Sequence, residues 1–204
     1  MKKIIALLFP IIIFGQNDQW SISIQSAMKD IENKNYKSAI TNLNKSLEIV
    51  PKNWSALYFK GYSLIIIGEN DKGCSSLIDA IYYGGNDDTK KLYSEKCIDY
   101  NPKLNSNKFK TGKFSLQILN DSLVYYFERS NEMQHETYDG KIYSGKITWF
   151  ENGDYTIVPT DETKKYMSDN PQFVVRILKI ENNEYLYEKI EENQVQYGII
   201  KKIE

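Results

Sequence analysis

A single histidine and two cysteines, set among scattered acidic residues, are the raw material from which this sequence could build a reactive centre. His135 is the lone imidazole and falls in a strand-like run between Met133 and Thr137. A hydrolytic triad needs an imidazole within hydrogen-bond reach of both a nucleophile and a carboxylate. Ser130 and Glu136 are close to His135 along the chain, but adjacent residues of a strand point to opposite faces, so this proximity does not make a site. Cys74 and Cys97 are far apart in sequence with no histidine near either, and neither a redox nor a nucleophilic role is expected of them. No spacing of His, Cys or acidic residues matches a zinc or calcium motif, and no glycine-rich phosphate loop occurs. The sequence therefore calls for no cofactor, no metal and no catalysis.

Charge and leader narrow the partners. The formal net charge is −1, and it becomes about −3 once Lys2 and Lys3 are set aside with the leader they belong to. Without a basic run there is no electrostatic case for nucleic acid or an anionic membrane. Residues 1–15 have the form of an export signal: a basic start at Lys2-Lys3, an apolar run from Ile4 to Phe14 broken by Pro10, then Gly15 before polar Gln16 and Asn17. That run is well short of the roughly 20 residues that span a bilayer, so it reads as a cleaved signal and not as a stable membrane anchor. The expected location is the periplasm or the exterior. There, an even pair of cysteines reads as a disulfide between Cys74 and Cys97, the alternative being two buried thiols packed as small apolar groups. Sixteen tyrosines against one histidine suit an exported β domain.

The elements that carry these residues change character near residue 100. From 20 to 100 the apolar period is helical. Ile24, Ala27, Met28 and Ile31 make an i, i+3, i+4, i+7 stripe over about 21–33, and Tyr36, Ala39, Ile40, Leu43 and Leu47 give a second helix its apolar face, with Pro51 as its stop. A second pair is expected over 56–67 and 71–83, turning at Gly68-Glu69-Asn70 and ending at Gly84-Gly85. Asp87 to Tyr100 supplies a capping helix through Leu92, Tyr93 and Cys97. With Trp54 as position 1 of a 34-residue frame, Gly61, Leu64, Gly68, Gly73, Leu77 and Ala80 fall at 8, 11, 15, 20, 24 and 27, and Ala27, Ala39 and Leu43 repeat positions 8, 20 and 24 one frame earlier. In this spacing the helical part resembles the tetratricopeptide (TPR) repeat family, with two repeats. Ser23 and Asp30 stand where the family has large apolar residues, which makes the first helix the least secure element. The resemblance implies a concave groove lined by the first helix of each repeat. Carried over position by position, it assigns Ile24, Met28, Ile31, Tyr58, Tyr62 and Ile65 to a surface that docks a protein or peptide segment. The rival reading is that some of these side chains only pack against the cap or a second domain.

Residues 101–107 are polar and breaker-rich and read as a linker. Beyond them the period is two. Strand-like runs begin at Phe114, Leu123, Met133, Ile142, Tyr155, Phe173, Tyr185 and Val195, and most are separated by turn pairs such as Asp139-Gly140, Asn152-Gly153 and Asn182-Asn183. The expectation over 108–204 is an antiparallel meander of about eight strands, curled or barrel-like, in an α+β chain of two domains. One long connection, 159–171, could form a short helix over 161–169 and serve as a lid or as a plain crossover. The aromatics Tyr125, Trp149, Tyr155, Tyr185 and Tyr187 are read first as core.

Four short stretches, 109–114, 129–136, 147–155 and 198–201, give this half a resemblance to a family of short exported β-domain proteins of Gram-negative bacteria. Some of its members carry a topoisomerase label. An exported acidic β domain without a catalytic tyrosine framework or metal cluster has no route to DNA strand passage, so the resemblance implies a fold class and no mechanism. Two functions follow from the sequence. The first is an exported, non-enzymatic interaction protein whose helical groove docks an envelope or secreted partner. The alternative is a small-molecule or lipid binding protein that uses an apolar cavity in the β domain.

Overall fold

A computed structural model describes residues 16–130, 132–167, 173–191 and 194–204. The expected leader lies outside them. The chain divides into two compact units, Met1–Tyr100 and Asn101–Glu204.

The first unit consists of five helices, α1 (Gln16–Glu32), α2 (Tyr36–Ile49), α3 (Trp54–Ile66), α4 (Asn70–Tyr82) and α5 (Asp87–Lys96). Small residues fix how closely the first four approach. Gly61 and Gly73 face each other across α3 and α4: a Cβ on Gly61 would lie 2.8 Å from Leu77 Cγ, and one on Gly73 would lie 2.6 Å from Ile65 Cγ1. The residues 34 positions earlier, Ala27 and Ala39, are fully buried in a core with Ile24, Leu43 and Ala56. The same sites recur in both hairpins because the same close approach recurs. Where α3 carries Leu64, α1 carries Asp30, and its Oδ2 accepts hydrogen bonds from Ser38 Oγ at 2.7 Å and Asn42 Nδ2 at 2.9 Å on α2. A polar latch thus replaces an apolar contact. Buried Ser23, the other departure, donates to the Gln19 carbonyl of its own helix at 2.9 Å.

Three of these helices end in the same hydrogen-bonded motif, in which the third N–H past the helix reaches back five residues. Asn35 donates to the Asp30 carbonyl, Glu69 to Leu64 and Gly85 to Ala80, at 2.7 to 2.9 Å. The turning residue adopts positive φ each time: Lys34 (61°), Gly68 (84°) and Gly84 (102°). Asn53 and Asn86 cap the starts of α3 and α5 by accepting from the N–H groups of Ala56 and Thr89. A disulfide joins Cys74 of α4 to Cys97 just beyond α5. On the chain-entropy account, closing a loop of 23 residues stabilises the unit by about 3 kcal/mol.

The second unit is a closed antiparallel barrel in which β1 (Gly112–Ile118), β2 (Val124–Arg129), β3 (Met133–Tyr138), β4 (Lys141–Trp149), β5 (Tyr155–Pro159), β6 (Phe173–Glu181), β7 (Glu184–Glu191) and β8 (Gln194–Lys202) pair in chain order and β8 returns to β1. The expected meander therefore closes into a barrel in which each described strand pairs with a neighbour on both sides. The β3–β4 hairpin turns on Asp139 and Gly140, both at positive φ, as a two-residue hairpin requires. Segment 101–107, expected as a linker, belongs with the barrel. Leu104 packs on the barrel core, Ser106 is buried, and the short 3-10 helix Asn107–Phe109 seats Phe109 in the barrel end with its ring 4.8 Å from that of Tyr185. Of the expected helix over 161–169, residues Asp161–Lys164 form α6, and 168–169 lie outside the described residues.

Two outcomes follow for the helical unit. Lys34→Gly relieves a left-handed backbone and raises stability by about 1 kcal/mol in urea titration. Gly61→Ala forces a methyl into Leu77 and lowers stability by about 1–3 kcal/mol by the same measurement.

Candidate functional site

The alternation of β2 places Tyr125, Phe127 and Arg129 on one face, and Arg129 is only 3% exposed. A guanidinium in a barrel core must find acceptors for its N–H groups. Its Nε donates to Gln134 Oε1 at 2.8 Å, Nη2 to the Tyr155 hydroxyl at 2.7 Å, and Nη1 to the Tyr185 hydroxyl at 2.9 Å and the Phe109 carbonyl at 3.4 Å. The rings of Tyr155 and Phe127 lie 4.6 Å and 4.8 Å from the guanidinium carbon, and those of Phe114 and Trp149 lie slightly farther out. Burial works against the charge, but the two tyrosine hydroxyls outweigh it and hold the arginine above its ordinary pKa. Burial also pushes the Tyr185 phenol well up, so it stays neutral.

Gln134 passes this charge outward. Arginine can only donate, so the Gln134 carbonyl must face it and the amide NH2 must face away. That NH2 donates to Glu136 Oε1 at 2.6 Å. Burial raises the Glu136 pKa, and Gln134 and Arg129 offset part of the rise. Gln134 and Glu136 both border a cavity of about 710 Å³ at the barrel end opposite Phe109. It is lined chiefly by apolar and aromatic groups, among them Leu123, Tyr125, Tyr143, Ile157, Met167 and Phe173.

The cavity opens where β2 and β3 separate early. β2 and β3 pair only from Phe127–Glu136 to Arg129–Gln134, which leaves Val124 to Tyr126 and Thr137–Tyr138 unpaired with each other. Among the described residues β5 and β6 pair from Tyr155–Val175 to Ile157–Phe173. Residues of both strand pairs contribute to the lining. Between them lies Thr163 of α6, whose Oγ1 accepts from the Ser144 N–H at 2.7 Å. Gly145, also on the cavity wall, has no room for a side chain, since a Cβ there would lie 2.4 Å from Ile157 Cγ2. Away from the mouth the interior is filled: Tyr187 lays its ring against Gly198 on β8, where an added Cβ would meet the hydroxyl at 2.5 Å.

The sequence had placed Ser130 and Glu136 near His135. The register instead sets Ser144 opposite it, and His135 Nδ1 lies 2.8 Å from Ser144 Oγ on an exposed face. Neither Arg129 nor Gln134 was singled out in the sequence. The signal available was their phase, because Arg129 alternates with Phe127 and Tyr125 where an exposed face would be out of step. Tyr125 lines the cavity, Tyr155 and Tyr185 hold Arg129, Tyr187 is core, and Trp149 packs on Tyr155 with ring centroids 4.6 Å apart.

The six groove residues do not share one free surface. Ile24 is buried in the α1–α2 core and Ile31 packs against it, while Ile65 fills the space that Gly73 leaves on α4. Met28 is 41% exposed, and Tyr58 and Tyr62 are half-buried. The Tyr62 ring meets Tyr36 edge-on at 6.3 Å, and burial followed by the nearby Asp88 raises the Tyr58 pKa. A second cavity of about 780 Å³ lies along α2, α3 and α4, lined by Lys37, Lys60, Asp71 and Asp79 among others, and none of the six borders it. Among the described residues no group of three or more His, Cys, Asp or Glu could hold a metal ion, and no helix is long and apolar enough to cross a membrane. No family model, curated protein or solved structure matches this chain.

Arg129→Met leaves the Gln134 carbonyl without its donor and the buried Tyr155 and Tyr185 hydroxyls with only each other, and the barrel loses about 3 kcal/mol in chemical denaturation. Burial raises the pKa values of Glu136, Asp154 and Glu188 in the folded chain. A raised carboxyl contributes stability that is complete below its unfolded pKa and is lost as pH rises through the folded one. Melting temperature therefore falls as pH rises from about 4 toward neutrality, and Glu136→Gln flattens that slope.

Proposed function

We propose that the C-terminal barrel binds a small, largely apolar molecule in the cavity at its open end, as an exported, non-enzymatic binding protein. The observation that carries this reading is the cavity of about 710 Å³ walled by Leu123, Ile157, Phe173 and several tyrosines, with two hydrogen-bonded polar side chains, Gln134 and Glu136, on its lining. Its size lies within the range of small-molecule sites, which are mostly apolar with a few fixed polar groups. Eight strands are also the barrel size at which the interior is either filled or holds one small ligand. Here the lower end is filled by Phe109, Phe114, Tyr185 and their neighbours. The Cys74–Cys97 bridge and the leader-like residues 1–15 support export.

The helical unit supports a second reading, uptake of a protein segment by a tetratricopeptide-like pair of hairpins. Its support is the exposed Met28, the half-buried rings of Tyr58 and Tyr62, and close approaches that recur at a 34-residue offset. Cross-linking of the full chain to envelope proteins tests it. A partner captured by wild type and lost by a folded Tyr58→Ala, Tyr62→Ala variant supports the reading, and capture that is equal or absent in both sinks it.

For the barrel, titration with the neutral apolar fluorophore N-phenyl-1-naphthylamine gives saturable binding at one site per chain. Ile157→Trp, which fills the cavity, weakens it by about tenfold or more with the circular dichroism spectrum unchanged. Binding that is absent in wild type, or indifferent to both Ile157→Trp and Phe173→Trp, would overturn the proposal.

A further inference from the structure

The polarity of the cavity is set from behind. Among its described lining residues Glu136 is the one acidic group, and no lysine, arginine or histidine joins it. Arg129 is fully inside the barrel and forces Gln134 to turn its amide NH2 toward Glu136. The donor on Oε1 and the charge of Arg129 offset part of what burial costs the carboxylate, and Oε2 takes no hydrogen bond among the described residues. The cavity thus meets its occupant with an unshared, oriented acceptor. Around that acceptor stand aromatic faces: Tyr143 pairs directly across β4 from Glu136, and Tyr125, Tyr138 and Phe173 also border the space. Aromatic faces attract cations, and a carboxylate beside them adds a full countercharge.

We infer that the cavity takes an amphiphile bearing a protonated amine, whose ammonium donates to Glu136 between tyrosine faces while its apolar body lies against Leu123, Ile157 and Phe173. This rests on the reading of the barrel as a ligand-binding cup and adds the chemical class of the ligand. A carboxylate ligand would instead meet Glu136 with like charge and find no donor of its own, because the NH2 of Gln134 is already engaged. A neutral alcohol would gain the hydrogen bond without the charge. Among the described residues the ionisable groups around Glu136 are the tyrosines of the cavity wall, Arg129, which stands behind Gln134 with its donors on Tyr155, Tyr185 and Phe109, and Tyr187, which burial keeps neutral.

Calorimetric titration of the full protein with n-octylamine, n-octanol and octanoate, which share an apolar chain and differ in headgroup, tests the assignment at neutral pH. The amine binds about tenfold or more tightly than the alcohol, and octanoate binds weakest. Glu136→Gln keeps an acceptor for Gln134, so it preserves the fold, yet it brings the amine down to the affinity of the alcohol and leaves the alcohol unchanged. Glu136→Met, which offers no oxygen acceptor, weakens the amine at least as far and weakens the alcohol as well. If octanol or octanoate binds as tightly as octylamine, or if neither substitution alters the order, the amine assignment is overturned while the cup reading stands. If none of the three binds to folded wild type, both readings fall together.

Discussion

A guanidinium in the middle of a β barrel is the interaction on which the C-terminal unit depends. Among the described residues Arg129 has no carboxylate within hydrogen-bond distance; its charge is taken up by two tyrosine hydroxyls, a backbone carbonyl, a glutamine and several ring faces. Each acceptor comes from a different part of the chain, so satisfying one residue ties together β2, β3, β5, β7 and the segment that carries Phe109. The same residue closes one end of the barrel through Phe109 and orients the polar groups of the other through Gln134. A buried charge is costly to leave unpaired, and that cost links the two ends of the barrel. It gives the mouth a defined polarity even though no cation among the described residues borders it.

The mouth itself comes from where hydrogen bonding stops. Strands β6, β7 and β8 stay paired over most of their length, whereas the β2–β3 seam holds only three residue pairs. A wall that zips fully on one side and parts early on the other leaves room between its unpaired ends, and the chain lines that room with aromatic side chains. Glycines serve the opposite purpose elsewhere. Gly198 admits the Tyr187 ring and Gly145 admits Ile157, so the interior below the mouth is packed.

The helical unit follows a different constraint, the separation of helices within a hairpin. Ala27 and Ala39 in one pair, Gly61 and Gly73 in the other, keep the backbones close, and the same motif ends α1, α3 and α4. The first pair departs at Asp30, where hydrogen bonds to Ser38 and Asn42 hold helices that Leu64 would otherwise hold by apolar contact. The disulfide then fastens the cap helix to α4.

The sequence by itself determined the elements, because they are set by local rules. Helical and twofold apolar periods, paired turn residues such as Asp139-Gly140 and a 34-residue offset between small residues are all short-range patterns, and the helices and strands fall within a few residues of them. The Cys74–Cys97 pairing was legible for a simpler reason, since two cysteines allow one partnership. Only the tertiary structure decided closure, burial and the site. Whether β8 meets β1, how early β2 leaves β3, and which group stands across from His135 are matters of register between distant segments, to which the period of a single strand is blind. Glu136 illustrates the difference: in sequence it is the neighbour of His135, and in the barrel it belongs with Gln134 and Arg129, because strands pair side chains across the sheet and set chain neighbours on opposite faces.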